Sequence, residues 1–140
     1  MNLRVALAGL AVALAAWLMA PAAAHAQLDH YKCYQGKDLK NPPFQKLKCK
    51  DGTGPITSDD FRTNECVDVQ KVKFICIPVN KNGEGINDPN THLICYQIKD
   101  EHKNLSPRPK VEVSTQFQVS QFELKKAKLL CVPGSKVLLP

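Results

Sequence analysis

His30 to Asp38 reads H-Y-K-C-Y-Q-G-K-D, and His92 to Asp100 reads H-L-I-C-Y-Q-I-K-D; six of the nine positions match. A second pair of blocks closes each stretch: K-V-K-F-I-C-I-P-V-N-K over Lys71 to Lys81, and K-A-K-L-L-C-V-P-G-S-K over Lys126 to Lys136. Recurrence in the same order marks a duplicated module, which cannot bury its apolar face alone and packs against its neighbour. The sequence divides into repeat 1 (28–79), a joint loop (80–90, from Asn80 to Asn90, dense in turn formers) and repeat 2 (91–140), together one domain over 27–140.

Within each repeat the pattern is β. Lys46-Leu47-Lys48-Cys49-Lys50 alternates strictly, as do Val67-Asp68-Val69, Val111-Glu112-Val113, Phe117-Gln118-Val119 and Phe122-Glu123-Leu124, and period two is the signature of a half-buried strand. The alternation slips at Ser120-Gln121, which predicts a bulge or tight turn there. Phe74 to Ile77 and Leu129 to Val132 are unbroken apolar runs, the pattern of a strand covered on both faces. Pro42-Pro43 and Pro107-x-Pro109 stand at the same place in both copies, in loop or edge positions that need no ladder donor. The expected fold is all-β: a compact disulfide-stapled sandwich or barrel of two tandem pseudo-symmetric repeats, about four strands each, related by an approximate two-fold.

Residues 1–26 read as a secretory signal peptide. Arg4 is the basic start, Val5 to Ala20 the apolar stretch, and Ala24-His25-Ala26 the small-x-small cleavage site. The apolar stretch is shorter than the roughly 20 residues of a spanning helix, so no transmembrane segment is expected in the mature chain. The implied location is secreted or periplasmic. All six cysteines, Cys33, Cys49, Cys66, Cys76, Cys95 and Cys131, fall after the leader. An even number in a small exported chain reads as three disulfides. No C-x-x-C pair is present, which argues against zinc. Cys49 and Cys66 lack counterparts in repeat 2, where Val113 and Gln121 stand near their places, so they are expected to bond to each other. Symmetry then leaves three arrangements: within-copy (33–76 and 95–131), crossed (33–131 and 76–95) and like-to-like (33–95 and 76–131). The within-copy arrangement is preferred because it needs only one module stapled before duplication.

Candidate sites are few. Asn80, Asn82, Glu84, Gly85 and Asp88 space oxygens through the joint as a calcium loop does, yet Thr91 stands where a bidentate glutamate belongs, so a plain turn is the stronger reading. His30 and His92 are equivalent and are weak metal candidates, two ligands being too few. Tyr34 and Tyr96 are expected to pack. Asp59-Asp60 and Asp100-Glu101 are expected to lie solvated in polar turns. The net charge of +6 falls by one with the leader. Lysines at 46, 48 and 50, at 71 and 73, and at 125, 126 and 128 can gather into a face for a polyanion or simply guard strand edges. A cysteine nucleophile needs a free thiolate, and no G-x-S-x-G, phosphate loop or H-E-x-x-H is present.

At D-H-Y-K-C-Y-Q, F-I-C-I-P-V-N-K-N-G-E-G-I-N-D-P, H-L-I-C-Y-Q and L-L-C-V-P the chain resembles exported bacterial cysteine-containing tandem-repeat domains of unknown function, the K-N-G-E-G joint being the most specific element. The resemblance implies a secreted bacterial module and brings no activity and no functional residues. The expected function is a non-enzymatic binding or surface-interaction module without cofactor, whose partner is an unknown protein or an anionic cell surface or glycan, such as lipid headgroups, lipopolysaccharide or acidic glycans, rather than nucleic acid. The alternative is a small inhibitor of a hydrolase, using the Asp51–Ser58 loop held by Cys49 and Cys66; a small hydrolase comes third.

Overall fold

The computed structural model describes residues 28–140 except Lys103, so the expected leader over 1–26 falls outside the described residues. The fold is all-β. Its strands are β1 (His30–Gln35), β2 (Ile56–Thr57), β3 (Glu65–Val79), β4 (His92–Asp100), β5 (Lys110–Ser114), β6 (Val119–Glu123) and β7 (Leu129–Gly134), with one 3-10 turn at Cys49–Asp51. The main antiparallel sheet runs β1-β3-β4-β7, with β2 pairing off β3; β5 and β6 form a separate hairpin. Among the described residues no closed barrel forms.

The matched H-x-x-C-Y-Q blocks lie on β1 and β4, and the matched Cys-x-Pro blocks on β3 and β7. Every neighbour in the sheet is antiparallel, so β1 and β4 run one way and β3 and β7 the other. The step that carries β1 and β3 onto β4 and β7 is therefore a translation across the sheet. This corrects the expected two-fold, which would have exchanged β1 with β7.

Three disulfides join Cys33 to Cys76, Cys49 to Cys66 and Cys95 to Cys131. Each half staples itself. Cys33 and Cys76 stand directly opposite in the β1–β3 register, as Cys95 and Cys131 do in β4–β7. On the central strands Cys76 Sγ lies 3.8 Å from Cys95 Sγ. Four sulfurs thus cross the sheet in a row, buried on the inner strands and exposed on the outer ones. The opposite face carries the core. Val67, Val69 and Ile98 are buried there, with Phe44, Leu47, Tyr96 and Leu130 packed against them. A core of this size is small for the chain, and covalent staples compensate.

Several expectations are revised. Val67-Asp68-Val69 and the Phe74 to Ile77 run, separate patterns in the sequence, lie on one continuous β3, with register shifts between Val69 and Lys71 and between Val72 and Phe74. Lys46 to Lys50 forms no strand; Leu47 exchanges both backbone hydrogen bonds with Val69, and the chain then coils into the 3-10 turn. Ser120-Gln121 lies inside β6, and the turn falls at Thr115–Gln118, where the Thr115 N–H donates to the Gln118 carbonyl. Leu129 to Val132 has the composition of a doubly covered strand, yet β7 is an edge with alternate residues exposed. Both proline-rich turns contain a cis X–Pro bond, at Asn41–Pro42 and Ser106–Pro107.

Candidate functional site

Where β4 ends beside the lead-in to β7, a groove of about 430 Å³ opens, lined by Lys73, Lys99, Lys126, Lys128, Asp100 and His102 among others. The register explains the gathering. β4 pairs with β3 on one side and with β7 on the other, and the Ile98 N–H donates to the Lys128 carbonyl. Lysines from three chain segments therefore meet at one end of the sheet. Four cations in one concavity raise the local potential for an anion above that of scattered surface lysines.

Asp100 is the groove's one carboxylate, and it does not lie in a solvated turn as expected. It is the last residue of β4, opposite Val67, and its Oδ1 is buried without a hydrogen-bond partner among the described residues. Burial, seconded by the like charge of Glu65, pushes its carboxyl above the ordinary carboxylate range, against the pull of Arg62 and a backbone hydrogen bond from Ala127.

Arg62 clamps the adjoining cleft. Its guanidinium pairs with Glu65 Oε1, and its Nη2 donates to the Asn104 carbonyl at 2.7 Å. His102 Nδ1 stands 3.3 Å from the same Glu65 oxygen. The Glu65 side chain is only 9% exposed. The 59–65 segment is thereby fastened to the 101–109 segment around a second concavity of about 730 Å³ that also takes in Phe61, Leu105 and Pro107.

The joint-loop oxygens are occupied by the loop itself. Asn80 Oδ1 accepts from the Gly85 N–H. Glu84 accepts from Lys81 and His30, and Asp88 from the Asn90 and Thr91 N–H groups and the Thr91 hydroxyl. Asp29 reaches across to take the N–H groups of Asn87 and Asp88. These bonds hold Asp29, Glu84 and Asp88 below the ordinary carboxylate range. Their contribution is complete above that range and is lost as pH falls through the lowered values, so the joint holds at neutral pH. Asn82 has a positive φ of 53°, a turn position. Among the described residues no three His, Cys, Asp or Glu gather as a metal site. His30 and His92 do not meet, since β3 runs between their strands. His92 is buried; its Nδ1–H donates to the Asn90 carbonyl at 2.8 Å, and its Nε2 is buried without a hydrogen-bond partner among the described residues. Tyr96 packs on Phe44 with ring centroids 5.2 Å apart, whereas Tyr34 is exposed beneath the Lys32 ammonium.

The Asp51–Ser58 loop folds against its own disulfide. The Lys48 carbonyl accepts from the N–H groups of Asp51, Thr53 and Gly54, and Ile56 points outward, 62% exposed. A Cβ on Gly54 would stand 2.9 Å from Cys49 N and from both sulfurs of the Cys49–Cys66 bridge. Gly54→Ala is therefore expected to lower stability by about 1–3 kcal/mol through overpacking, measured by urea denaturation. A loss below a few tenths would mean that the loop is not seated on the bridge.

The lysine groove combines residues that the sequence had singled out (Lys73, Lys126, Lys128) with Lys99, which it had not. The Arg62–Glu65–His102 clamp had no sequence signal, because the two segments it joins lie some 40 positions apart. Compared with protein-family models, curated proteins and solved structures, the chain matches none.

Proposed function

We propose that the protein is an exported, disulfide-locked, non-enzymatic binding module, and that the lysine groove takes an anionic segment of a cell-surface glycan. The observation that carries this reading is the convergence of Lys73, Lys99, Lys126 and Lys128 on one concavity, where the only carboxylate is held above its usual range. Lysines that merely guard an edge line its length; these come from three segments and meet at one place. The leader-like residues 1–26 and the tandem blocks support an exported, modular setting.

Calorimetry with dextran sulfate, whose charge does not change with pH, against neutral dextran tests the reading. Lys73→Gln, Lys126→Gln and Lys128→Gln together are expected to weaken dextran sulfate binding at least about tenfold and to flatten its salt dependence. As pH falls from neutral through the raised Asp100 value the groove gains positive charge, so binding tightens. In a His102→Gln background, which takes the groove's imidazole out of the comparison, Asp100→Asn removes that step and binds more tightly than its parent at neutral pH. Equal affinity for neutral dextran, or an unchanged triple variant, overturns the assignment.

A further inference from the structure

We infer that the β7 edge of one molecule pairs antiparallel with the β1 edge of a second copy, continuing the sheet head to tail. The internal step from β1 and β3 to β4 and β7 is a translation, and a translation does not close on itself. Repeating it once more places another β1 against β7. The β3–β4 seam inside the molecule is then the template for the seam between molecules, because β7 corresponds to β3 and β1 to β4.

The ladder parity agrees. Cys33 and Cys76 have Cα atoms 3.9 Å apart, as do Cys95 and Cys131, and the close spacing marks a non-hydrogen-bonded pair. The backbone polar groups of Tyr31 and Cys33 on β1, and of Leu129 and Cys131 on β7, therefore point away from their partner strands. Out of phase with these by an odd number of residues, the Gly36 N–H donates inward to the Lys73 carbonyl and the Lys128 carbonyl accepts inward from the Ile98 N–H. In the internal seam Phe74 faces Cys95 and Cys76 faces Leu93. Carried over by the repeat, Leu129 faces Cys33 and Cys131 faces Tyr31 of the second copy. Outward-facing groups meet outward-facing groups, as an antiparallel ladder requires. Among the described residues no strand pairs with either outer edge.

The side chains of β7 also suit a partner. The strand carries no charge, its apolar run has the composition of a covered strand, and Leu129 is 40% exposed. An uncharged apolar edge is a pairing surface. One position resists: Lys32 would face Leu130, where the internal seam has Ile94 facing Ile75. A charged residue on an edge strand weakens such pairing, which makes the association concentration-dependent and correctable.

Sedimentation velocity on the oxidised protein, from about 10 µM to 1 mM, is expected to show association growing beyond a dimer, since a heterologous contact that does not close propagates. Lys32→Ile, which restores the internal pair, is expected to lower the onset concentration about tenfold. Leu129→Pro removes one outward donor at the first residue of a strand, where proline is tolerated, and is expected to leave a monomer. Leu129→Lys serves the same purpose with the backbone untouched, and non-reducing peptide mapping verifies that the bridges persist in each variant. A Lys32→Ile protein that stays monomeric at the highest concentration overturns the inference. So does association that survives both Leu129 variants, which would mean a β1-to-β1 contact, or association that Lys32→Ile leaves unchanged, which would mean a β7-to-β7 contact.

Discussion

Replacing Cys95 and Cys131 together by alanine is expected to lower the unfolding free energy by about 4 kcal/mol, and replacing Cys33 and Cys76 by a similar amount. The bridges span 36 and 43 positions, and loop-closure entropy in the unfolded chain grows slowly with span, so the two are nearly equal. Cys49–Cys66 spans 17 and is expected to contribute about 3 kcal/mol. Against a typical domain stability of about 5–15 kcal/mol, losing either long bridge brings the molecule close to the unfolded state. The buried apolar set of Val67, Val69 and Ile98 is too small to compensate. Urea denaturation of the oxidised variants measures the effect. A loss under about 1 kcal/mol for either long bridge would show that packing, not sulfur, holds the sheet.

Arg62→Ala is expected to cost about 2–3 kcal/mol. Its guanidinium is what neutralises the nearly buried Glu65 carboxylate, and without it the Asn104 carbonyl also loses its donor. An unpaired carboxylate in that position costs more than the pair returns when intact, which is why the single change is severe. Adding Glu65→Gln to Arg62→Ala is expected to recover about half the loss, the signature of coupled partners in a double-mutant cycle. A second readout separates this from simple loss of packing. Arg62 holds the Asp100 carboxyl down, so its removal is expected to push the Asp100 titration still higher, visible by carbon-detected NMR. An additive cycle with an unmoved Asp100 would reduce Arg62 to a surface residue.

Much of the fold was legible because its signals are local. The H-x-x-C-Y-Q and Cys-x-Pro blocks mark strands by composition alone, and the missing counterparts of Cys49 and Cys66 single out one cysteine pair. What escaped depends on distance along the chain. The alternation at Lys46 to Lys50 is a true period-two pattern, but only Leu47 finds a ladder partner, at Val69; the carbonyl of Lys48 then collects the turn donors, and no strand forms. The direction of the internal symmetry could not be read from two similar blocks, since a translation and a two-fold both produce them. Asp100 looked like a turn residue because the groups that act on its carboxyl, the charges of Glu65 and Arg62 and the backbone of Ala127, all lie more than 20 positions away. Lys99 gained meaning only when β4 was seen to bring it beside Lys126 and Lys128.

No covalent bridge crosses from β3 to β4. All three close within one half, and the seam between halves is held by backbone pairing, the Arg62 clamp and the joint. Tension applied across the molecule therefore meets two locked parcels and one zipper. The bridges withhold about 150 Å and about 125 Å of chain from extension, at some 3.5 Å per residue over 43 and 36 positions. Only the central zipper can part while the sulfurs stay oxidised, so a pulled molecule would separate into two beads on a short string and pay out the hidden slack only after reduction.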